Sequence, residues 1–243
     1  MLRRRDYGES DRILVVFTKK LGRISGIAKG ARKPGSKISG HLELFARSSF
    51  LISRGRNLQL ITQAETIESY DHLRADLSGI GLGSYIVELV DAVTTEEGSN
   101  VKLYDLLVTT LKALDSGLEP AIITHFFELH LLGLAGFRPE FFICVECGEA
   151  ITEQDQYLSG GLGGVVCPNC IRDLSGADFR PVSARILKYL RHFQRTSLEE
   201  LSSLRIAPEV QKGLEESIHY YLTHTLERHL NSPAFISRIK NNS

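Results

Sequence analysis

The amino-acid sequence has no run of eighteen apolar residues, and nothing near its N-terminus resembles a signal peptide. The first absence argues against a membrane-spanning helix, and the second argues against secretion. Hydrophobic residues still make up 42% of the 243-residue chain, which is enough to build buried cores. We therefore expect a folded cytoplasmic protein without membrane contact. In a reducing cytoplasm, cysteine thiolates that hold a metal are favoured over disulfides.

The sequence also lacks the common motifs of catalysis and nucleotide binding. It has no nucleophile elbow, no partnered cysteine nucleophile and no pair of carboxylates marked out by spacing. Gly30 and Gly35 have the separation found in a phosphate loop, but Ser36 and Lys37 stand in the inverse order. The glycines within residues 79–83 follow no strand, so they form no dinucleotide-binding fingerprint. We therefore do not expect an enzyme.

Two histidines on a predicted helix could suggest a catalytic metal. His125 and His130 lie five positions apart, which turns their side chains about 140° from each other, whereas residues four apart differ by about 40°. The two rings therefore diverge. The spacing predicts ordinary core or surface histidines.

Cysteine is scarce, and all of it lies in residues 144–170. This segment contains Cys-Val-Glu-Cys, nineteen further residues and Cys-Pro-Asn-Cys. Two facing Cys-x-x-Cys knuckles bind one Zn²⁺ tetrahedrally, and four sulfur ligands leave no vacant position for water or substrate. The alternative is two disulfides or four ordinary buried thiols. The sequence predicts a structural zinc whose ligands are Cys144, Cys147, Cys167 and Cys170.

The period of the apolar residues changes near residue 68. Before this point the sequence predicts short strands, at residues 11–18, 22–30, 48–53 and 58–65. A hairpin tip with two arginines joins the last two of these strands at residues 54–57. About five short strands in a segment of this length suit a small closed barrel of the OB kind. After residue 68 the period is helical, and the helix that starts at Pro120 is apolar almost all round, as in the centre of a bundle.

These patterns predict a multi-domain α+β fold. An N-terminal OB-fold β-barrel is followed by an all-α helical domain, into which the four-cysteine zinc unit is inserted. The predicted boundaries are 1–70 for the OB-fold, 71–142 for the first part of the helical domain, 143–172 for the zinc insertion and 173–243 for the second helical part.

The net charge of zero hides an uneven distribution. Residues 1–56 hold fourteen Lys and Arg against four Asp and Glu, whereas residues 57–243 hold fifteen against twenty-five. This separation suggests that the N-terminal part meets a polyanion, and a solvated basic face without a ligand is the alternative. Residues 29–37 place four cations among Gly, Pro and Ser, which predicts a flexible charged loop.

Several motifs, in one order along the chain, resemble those of the bacterial RecO family of DNA repair proteins. They are YGESD from Tyr7, GRISGIAKGAR from Gly22, LITQAE from Leu60, GLAGFRP from Gly133 and the two Cys-x-x-Cys pairs. In one respect the chain departs from the family, because only six residues precede the YGESD turn where family members have a longer first strand. We therefore expect either a short first strand or a start codon assigned too late, and each would leave an unpaired edge.

The resemblance implies an N-terminal OB-fold, a helical domain and a zinc-binding insertion. It also implies a recombination mediator and not an enzyme. Members of the family bind single- and double-stranded DNA and anneal complementary strands. With RecR, and in some pathways RecF, they place RecA on DNA covered by single-strand binding protein, whose acidic C-terminal tail they also contact. Such a protein is expected at the nucleoid.

The N-terminal cations are the predicted DNA contacts. A flexible cationic loop with adjoining turns and strands can follow a phosphate backbone without reading bases. The predicted DNA-binding residues are Arg12, Arg23, Lys29, Arg32, Lys33, Lys37, Arg54 and Arg56. Base stacking should contribute less, because residues 1–56 contain four aromatic side chains, several of which suit the core.

A later helix offers a second possible contact. Lys188, Arg191 and Arg195 lie on one side of it and either extend the DNA track or form a solvated stripe opposite the apolar face. Two other classes of protein also stay open. One is an adaptor whose basic loop binds an acidic protein tail in place of DNA, and the other is a nuclease that uses acidic residues to bind Mg²⁺.

Overall fold

The structure is a computed structural model that describes residues 1–55, 58–95, 98–174, 178–201 and 203–226. The chain divides into two compact units, of which the first contains Met1–Gly117 and the second begins at Leu118. Strands dominate the start of the chain and helices dominate the rest, so the predicted mixed α+β class is confirmed. In the described part of the chain, no helix is both long enough and apolar enough to cross a bilayer.

The first unit is built on a five-stranded sheet. Its strands are β1 (Arg3–Tyr7), β2 (Asp11–Thr18), β3 (Gly22–Ala28), β4 (Arg47–Ser53) and β5 (Gln59–Glu68). The order across the sheet is β1-β2-β3-β5-β4, and every pairing is antiparallel except β3 with β5. One face of the sheet is buried over a core that contains Leu14, Val16, Leu42 and Ile61. Exposed and half-buried side chains alternate along β4 with the period of two that marks a strand, whereas β2 buries side chains on both of its faces.

The predicted closed barrel is not found among the described residues. Strands β1 and β4 are the two edges of the sheet, and no ladder joins them. Just before the two strands, the Met1 ammonium donates to Ala46 O (3.2 Å) and the Met1 carbonyl accepts from Phe45 N (3.4 Å). All five residues of β1 pair with β2, and among the described residues its other edge has no partner strand.

Two helices complete the first unit, α1 (Leu77–Val93) and α2 (Val101–Asp115). Each begins at a capping side chain, because Asp76 accepts from the third residue of α1 and Asn100 accepts from the third residue of α2. Helix α1 lies close to the Phe45 ring, since a Cβ at Gly83 would stand 3.0 Å from it. The glycine therefore permits this contact.

The second unit is mainly helical. Its helices are α3 (Pro120–Leu134), α4 (Ala184–Arg195), α5 (Leu198–Leu201) and α6 (Pro208–Leu226). Helix α3 contacts the three other helices and buries Phe127, Leu131 and Leu132 completely, which confirms its prediction as the centre of a bundle. Between α3 and α4 lies a small sheet of order β7-β6-β8, formed by β6 (Gln156–Ser159), β7 (Gly164–Val166) and β8 (Arg180–Val182). Short 3₁₀ turns occupy Ser39–His41 in the first unit and Cys170–Asp173 in the second.

Candidate metal centre and nucleic-acid interface

The four cysteines come together at one point of the second unit. Their sulfur atoms all lie within 4.8 Å of one another, and no disulfide joins them. The Sγ atoms of Cys147 and Cys167 are 4.0 Å apart. A tetrahedral metal with sulfur bonds of about 2.3 Å has sulfur–sulfur edges of about 3.8 Å, so this spacing fits one ion.

Backbone hydrogen bonds shape both knuckles. In the first knuckle the amide of Gly148 donates to Cys144 O (2.9 Å), and Gly148 has the positive φ of +76° that favours glycine. In the second, the amide of Ile171 donates to Cys167 O (3.2 Å). A bond from Val145 N to a carbonyl of β7 (3.0 Å) holds the first knuckle against the strand that leads into the second. The chain thus presents both cysteine pairs to the same point.

The ionisation of the thiols also suits a cation. Burial disfavours the thiolate of Cys144, but backbone N–H groups of both knuckles outweigh burial and lower the pKa of this thiol to about 6. Contact with the Cys167 sulfur raises the pKa of Cys170, because four neighbouring sulfurs cannot all carry negative charge without a counter-ion. A soft divalent metal supplies that charge. The predicted ligands therefore form a candidate metal centre with no open coordination position.

The basic segment, residues 29–37, lies at the end of the sheet where β3 finishes and β2 starts. Gly30 N–H donates to the carboxylate of Asp11 (2.8 Å), and the amide of Arg32 donates to a carbonyl of the β1–β2 turn (2.8 Å). Ala31 is completely buried in the core of the sheet. Because its early residues are anchored in this way, the segment has a defined position beside the β1–β2 turn.

Three lysines of the basic segment point into solvent, and we call Lys29, Lys33 and Lys37 the lysine platform. All three are exposed, and within the described residues no carboxylate oxygen lies within 4.0 Å of their ammonium groups. The segment is a succession of turns, with bonds from Lys33 N to Gly30 O and from Ser36 N to Lys33 O (3.1 Å each). These turns space the lysines of the predicted charged loop along one short stretch.

Two predicted arginines stand beside the lysine platform but share a carboxylate. Asp6, in β1, lies 3.4 Å from Nε of Arg12 and 3.2 Å from Nε of Arg32. Arg32 also donates to Gly8 O (3.4 Å). The sequence analysis missed Asp6, although its position opposite Arg12 follows once the β1–β2 register is known. Both arginines are therefore available to another anion only in exchange for Asp6.

The remaining predicted arginines lie elsewhere. Arg23, near the start of β3, donates to the buried carboxylate of Asp91 in α1 (2.7 Å), which also pairs with Arg3. Its position next to a carboxylate that is 2% exposed indicates a structural role. Arg54 is exposed in the β4–β5 turn. Because β3 and β5 run parallel, with Gln59 opposite Gly26, this turn lies toward the end of the sheet where β3 starts. Arg56 lies outside the described residues.

One aromatic side chain accompanies the basic segment. Tyr7 is 54% exposed at the β1–β2 turn, whereas Phe17 and Phe45 are buried, as their expected core role requires. Two of the second set of cations, on α4, lie near the Phe142 ring, with the guanidinium carbons of Arg195 and Arg191 at 3.6 Å and 5.0 Å from its centroid, and Lys188 is exposed. The two histidines bond separately, His125 to Glu128 and His130 to a carbonyl of α4, so they do not meet at a common ion.

Fold and site together define a mixed α+β protein with a basic end on its sheet and a four-cysteine candidate metal centre. Two family models match the chain, "Recombination protein O N terminal" over residues 1–70 and "Recombination protein O C terminal" over residues 74–234. The DNA repair protein RecO of Roseiflexus sp. (strain RS-1) is 38% identical over 99% of this chain and 84% of its own length.

Other relatives agree. The DNA repair protein RecO of Dehalococcoides mccartyi (strain ATCC BAA-2266 / KCTC 15142 / 195) is 35% identical over 94% of this chain and 89% of its own. That of Pelotomaculum thermopropionicum is 35% identical over 98% and 91%. The chain belongs to the RecO family of DNA repair proteins. Its resemblance to that family is thereby confirmed, and a role in DNA repair follows from the membership.

Proposed function

We propose that this protein binds single- and double-stranded DNA without sequence preference and anneals complementary strands. The observation that carries the proposal is the lysine platform, three exposed cations without a carboxylate partner in the described residues, on a chain of a DNA repair family. Lysines on a chain of turns contact phosphates and not base edges, so they give affinity without sequence readout.

Annealing needs no bond chemistry. Two strands repel each other through their phosphates, and a protein that neutralises phosphates on both lowers this repulsion while base pairing supplies the free energy. About five neutralised phosphates give a slope of log affinity against log salt near −3.5 on single strands, of which three lysines account for about −2.1. The proposed protein is therefore a mediator and not an enzyme.

Within repair, the proposed partners are RecR and single-strand binding protein with its acidic C-terminal tail. Together with RecR, the protein helps to load RecA onto DNA coated by single-strand binding protein, with RecF in some pathways. It works at the nucleoid in the cytoplasm. The four cysteines hold one Zn²⁺, which organises the second unit and takes no part in chemistry because its four ligands fill the coordination sphere.

The test is annealing of complementary oligonucleotides coated with single-strand binding protein, with and without the protein. We expect faster annealing with the wild type. Lys33→Glu with Lys37→Glu should weaken binding to every sequence alike, because two platform cations become anions. The matched control reverses two exposed lysines elsewhere in the first unit, Lys20→Glu with Lys102→Glu, and should bind like the wild type.

Three results would contradict the proposal. Affinity that does not change with salt would exclude phosphate neutralisation. If an acidic peptide binds the lysine platform far more tightly than DNA and displaces the DNA, the protein would be an adaptor. Cleavage of the strands that depends on a divalent metal would indicate a nuclease.

A further inference from the structure

A recess in the second unit gathers arginines around an aromatic ring. It has a volume of about 360 Å³ and lies between the segment that enters the first knuckle and the end of α4. Its lining includes Arg138, Phe142, Ile143 and Arg195. This volume is within the range of small-molecule sites, which start at about 300 Å³.

The cations are arranged as a stack. The guanidinium carbon of Arg195 lies 3.6 Å from the centroid of the Phe142 ring, and that of Arg191 lies 5.0 Å from it. Arg191 is fixed, because its Nε donates to Phe141 O (2.8 Å) and its Nη2 is buried without a hydrogen-bond partner in the described residues. Arg191 therefore positions the ring, and Arg195 presents the outer face of its guanidinium.

Hydrogen bonds also hold the opposite wall. The buried Gln194 donates to Pro139 O (2.8 Å) and accepts from Arg138 (3.4 Å). Glu140, the acidic residue of the lining, turns its carboxylate to the backbone and accepts from Phe142 N (2.6 Å). Among the described residues no carboxylate lies within 4.0 Å of the Arg138 or Arg195 guanidinium.

The charge of the recess stands out from its surroundings. Residues 118–243 hold fifteen Asp and Glu against twelve Lys and Arg, yet Arg138 and Arg195 line this recess together with one acidic residue, Glu140, whose carboxylate accepts from the backbone. Partial burial and the nearby Arg195 lower the pKa of Arg191 and outweigh the opposite effect of Glu140, as is expected where like charges crowd together. An anion bound in the recess would relieve this repulsion.

We infer that the recess binds one nucleotide of single-stranded nucleic acid. Arg138 and Arg195 hold the phosphate, and the base stacks on the guanidinium of Arg195 with Ile143, 45% exposed, beside it. A planar guanidinium supported by an aromatic ring matches the flat face of a base, which favours a nucleotide over an acidic peptide. The inference rests on the proposed function and adds a second DNA contact to it.

The probe is a short thymidine oligonucleotide titrated against the full chain. Arg138→Gln with Arg195→Gln should make the salt slope less negative by about 0.7, because the one phosphate held in the recess is no longer neutralised. The matched control, Arg205→Gln with Lys212→Gln, removes two exposed cations of the same unit and should leave the slope unchanged. A photoreactive 5-iododeoxyuridine in the oligonucleotide should crosslink to residues 138–143.

The outcomes separate this inference from the function it rests on. The inference alone would be overturned if Arg138→Gln with Arg195→Gln leaves the salt slope unchanged, no crosslink forms in the recess and DNA binding still requires the lysine platform. Binding of an acidic peptide at the recess in preference to the oligonucleotide would also overturn it. A wild-type chain that does not bind the oligonucleotide at all would overturn the proposed function first.

Discussion

At the scale of single residues, the partners of a cation decide whether it is free to bind. Arg23 is 68 positions from Asp91, and Arg47 is 21 positions from Glu68, yet each pair is in direct contact. Burial disfavours the carboxylate of Glu68, but hydrogen bonds from Lys112 and other partners outweigh it and lower the pKa of Glu68. Counting charges along the sequence therefore overstates how many arginines meet a ligand.

Asp6 is the residue whose removal should strengthen DNA binding. It holds Arg12 and Arg32 beside the lysine platform, so Asp6→Asn frees two guanidiniums for phosphate. We expect tighter binding to single strands and a salt slope more negative by up to about 1.4. Loss of two surface ion pairs should cost at most about 1 kcal/mol of stability. Fluorescence anisotropy at several salt concentrations measures the first effect, and urea unfolding measures the second.

A substitution that also removes one negative charge, but at the other end of β2, provides the control. Asp105 pairs with Lys19 (3.0 Å), near the β2–β3 turn, and both side chains are half exposed. Asp105→Asn should leave affinity and slope as in the wild type, because the freed cation is not part of the platform. Weaker binding by Asp6→Asn would show that Asp6 orients the arginines for DNA and does not compete with it.

At the scale of elements, regular patterns could be predicted and long-range closure could not. The apolar run at 11–18 between turn signals predicted β2, and the helical period from Pro120, apolar almost all round, predicted α3. The spacing of the cysteines predicted a cluster of four thiols. Closure of the barrel depends on pairing between the first and fourth strands. Such a pairing has no local signal in the sequence. The recess was missed for the same reason, because Arg138 and Arg195 are brought together only by the packing of α4.

The proposed zinc unit, residues 143–172, is the element whose loss should lower the stability most. Cys170→Ser removes one of the four proposed ligands, and loss of a structural metal belongs to the changes that cost about 4 kcal/mol or more. We expect less than one bound zinc per chain by mass spectrometry and earlier urea unfolding of the second unit. The lysine platform lies in the first unit and should keep its affinity for DNA.

A substitution at the neighbouring residue distinguishes the effect of losing the metal from the effect of changing the turn. Asn169→Ser changes an exposed residue of the same knuckle and keeps four thiolates, so zinc content and stability should match the wild type. A chelator should lower the stability of the wild type but not that of Cys170→Ser. Full zinc occupancy in Cys170→Ser would show that this thiol is not a ligand.

At the scale of the whole molecule, the charge separation seen along the sequence becomes much smaller in the folded chain. Residues 1–117, which include α1 and α2, hold seventeen Lys and Arg against fourteen Asp and Glu. Residues 118–243 hold twelve against fifteen. The excess of ten positive charges in residues 1–56 is thus reduced to three by acids that the fold brings to the same unit. The proposed DNA binding then depends on a local arrangement of cations and not on the charge of a domain.

Two double variants with the same net charge test this conclusion. Lys33→Gln with Asp6→Asn removes one platform cation and frees Arg12 and Arg32 nearby, whereas Lys33→Gln with Asp105→Asn frees Lys19 at the far end of β2. The eight residues of β2 span about 26 Å, well beyond the screening length of about 8 Å at physiological salt. We expect the first variant to recover wild-type affinity for single strands and the second to stay as weak as Lys33→Gln alone. Equal affinities would mean that total charge, and not the place of the cations, governs binding.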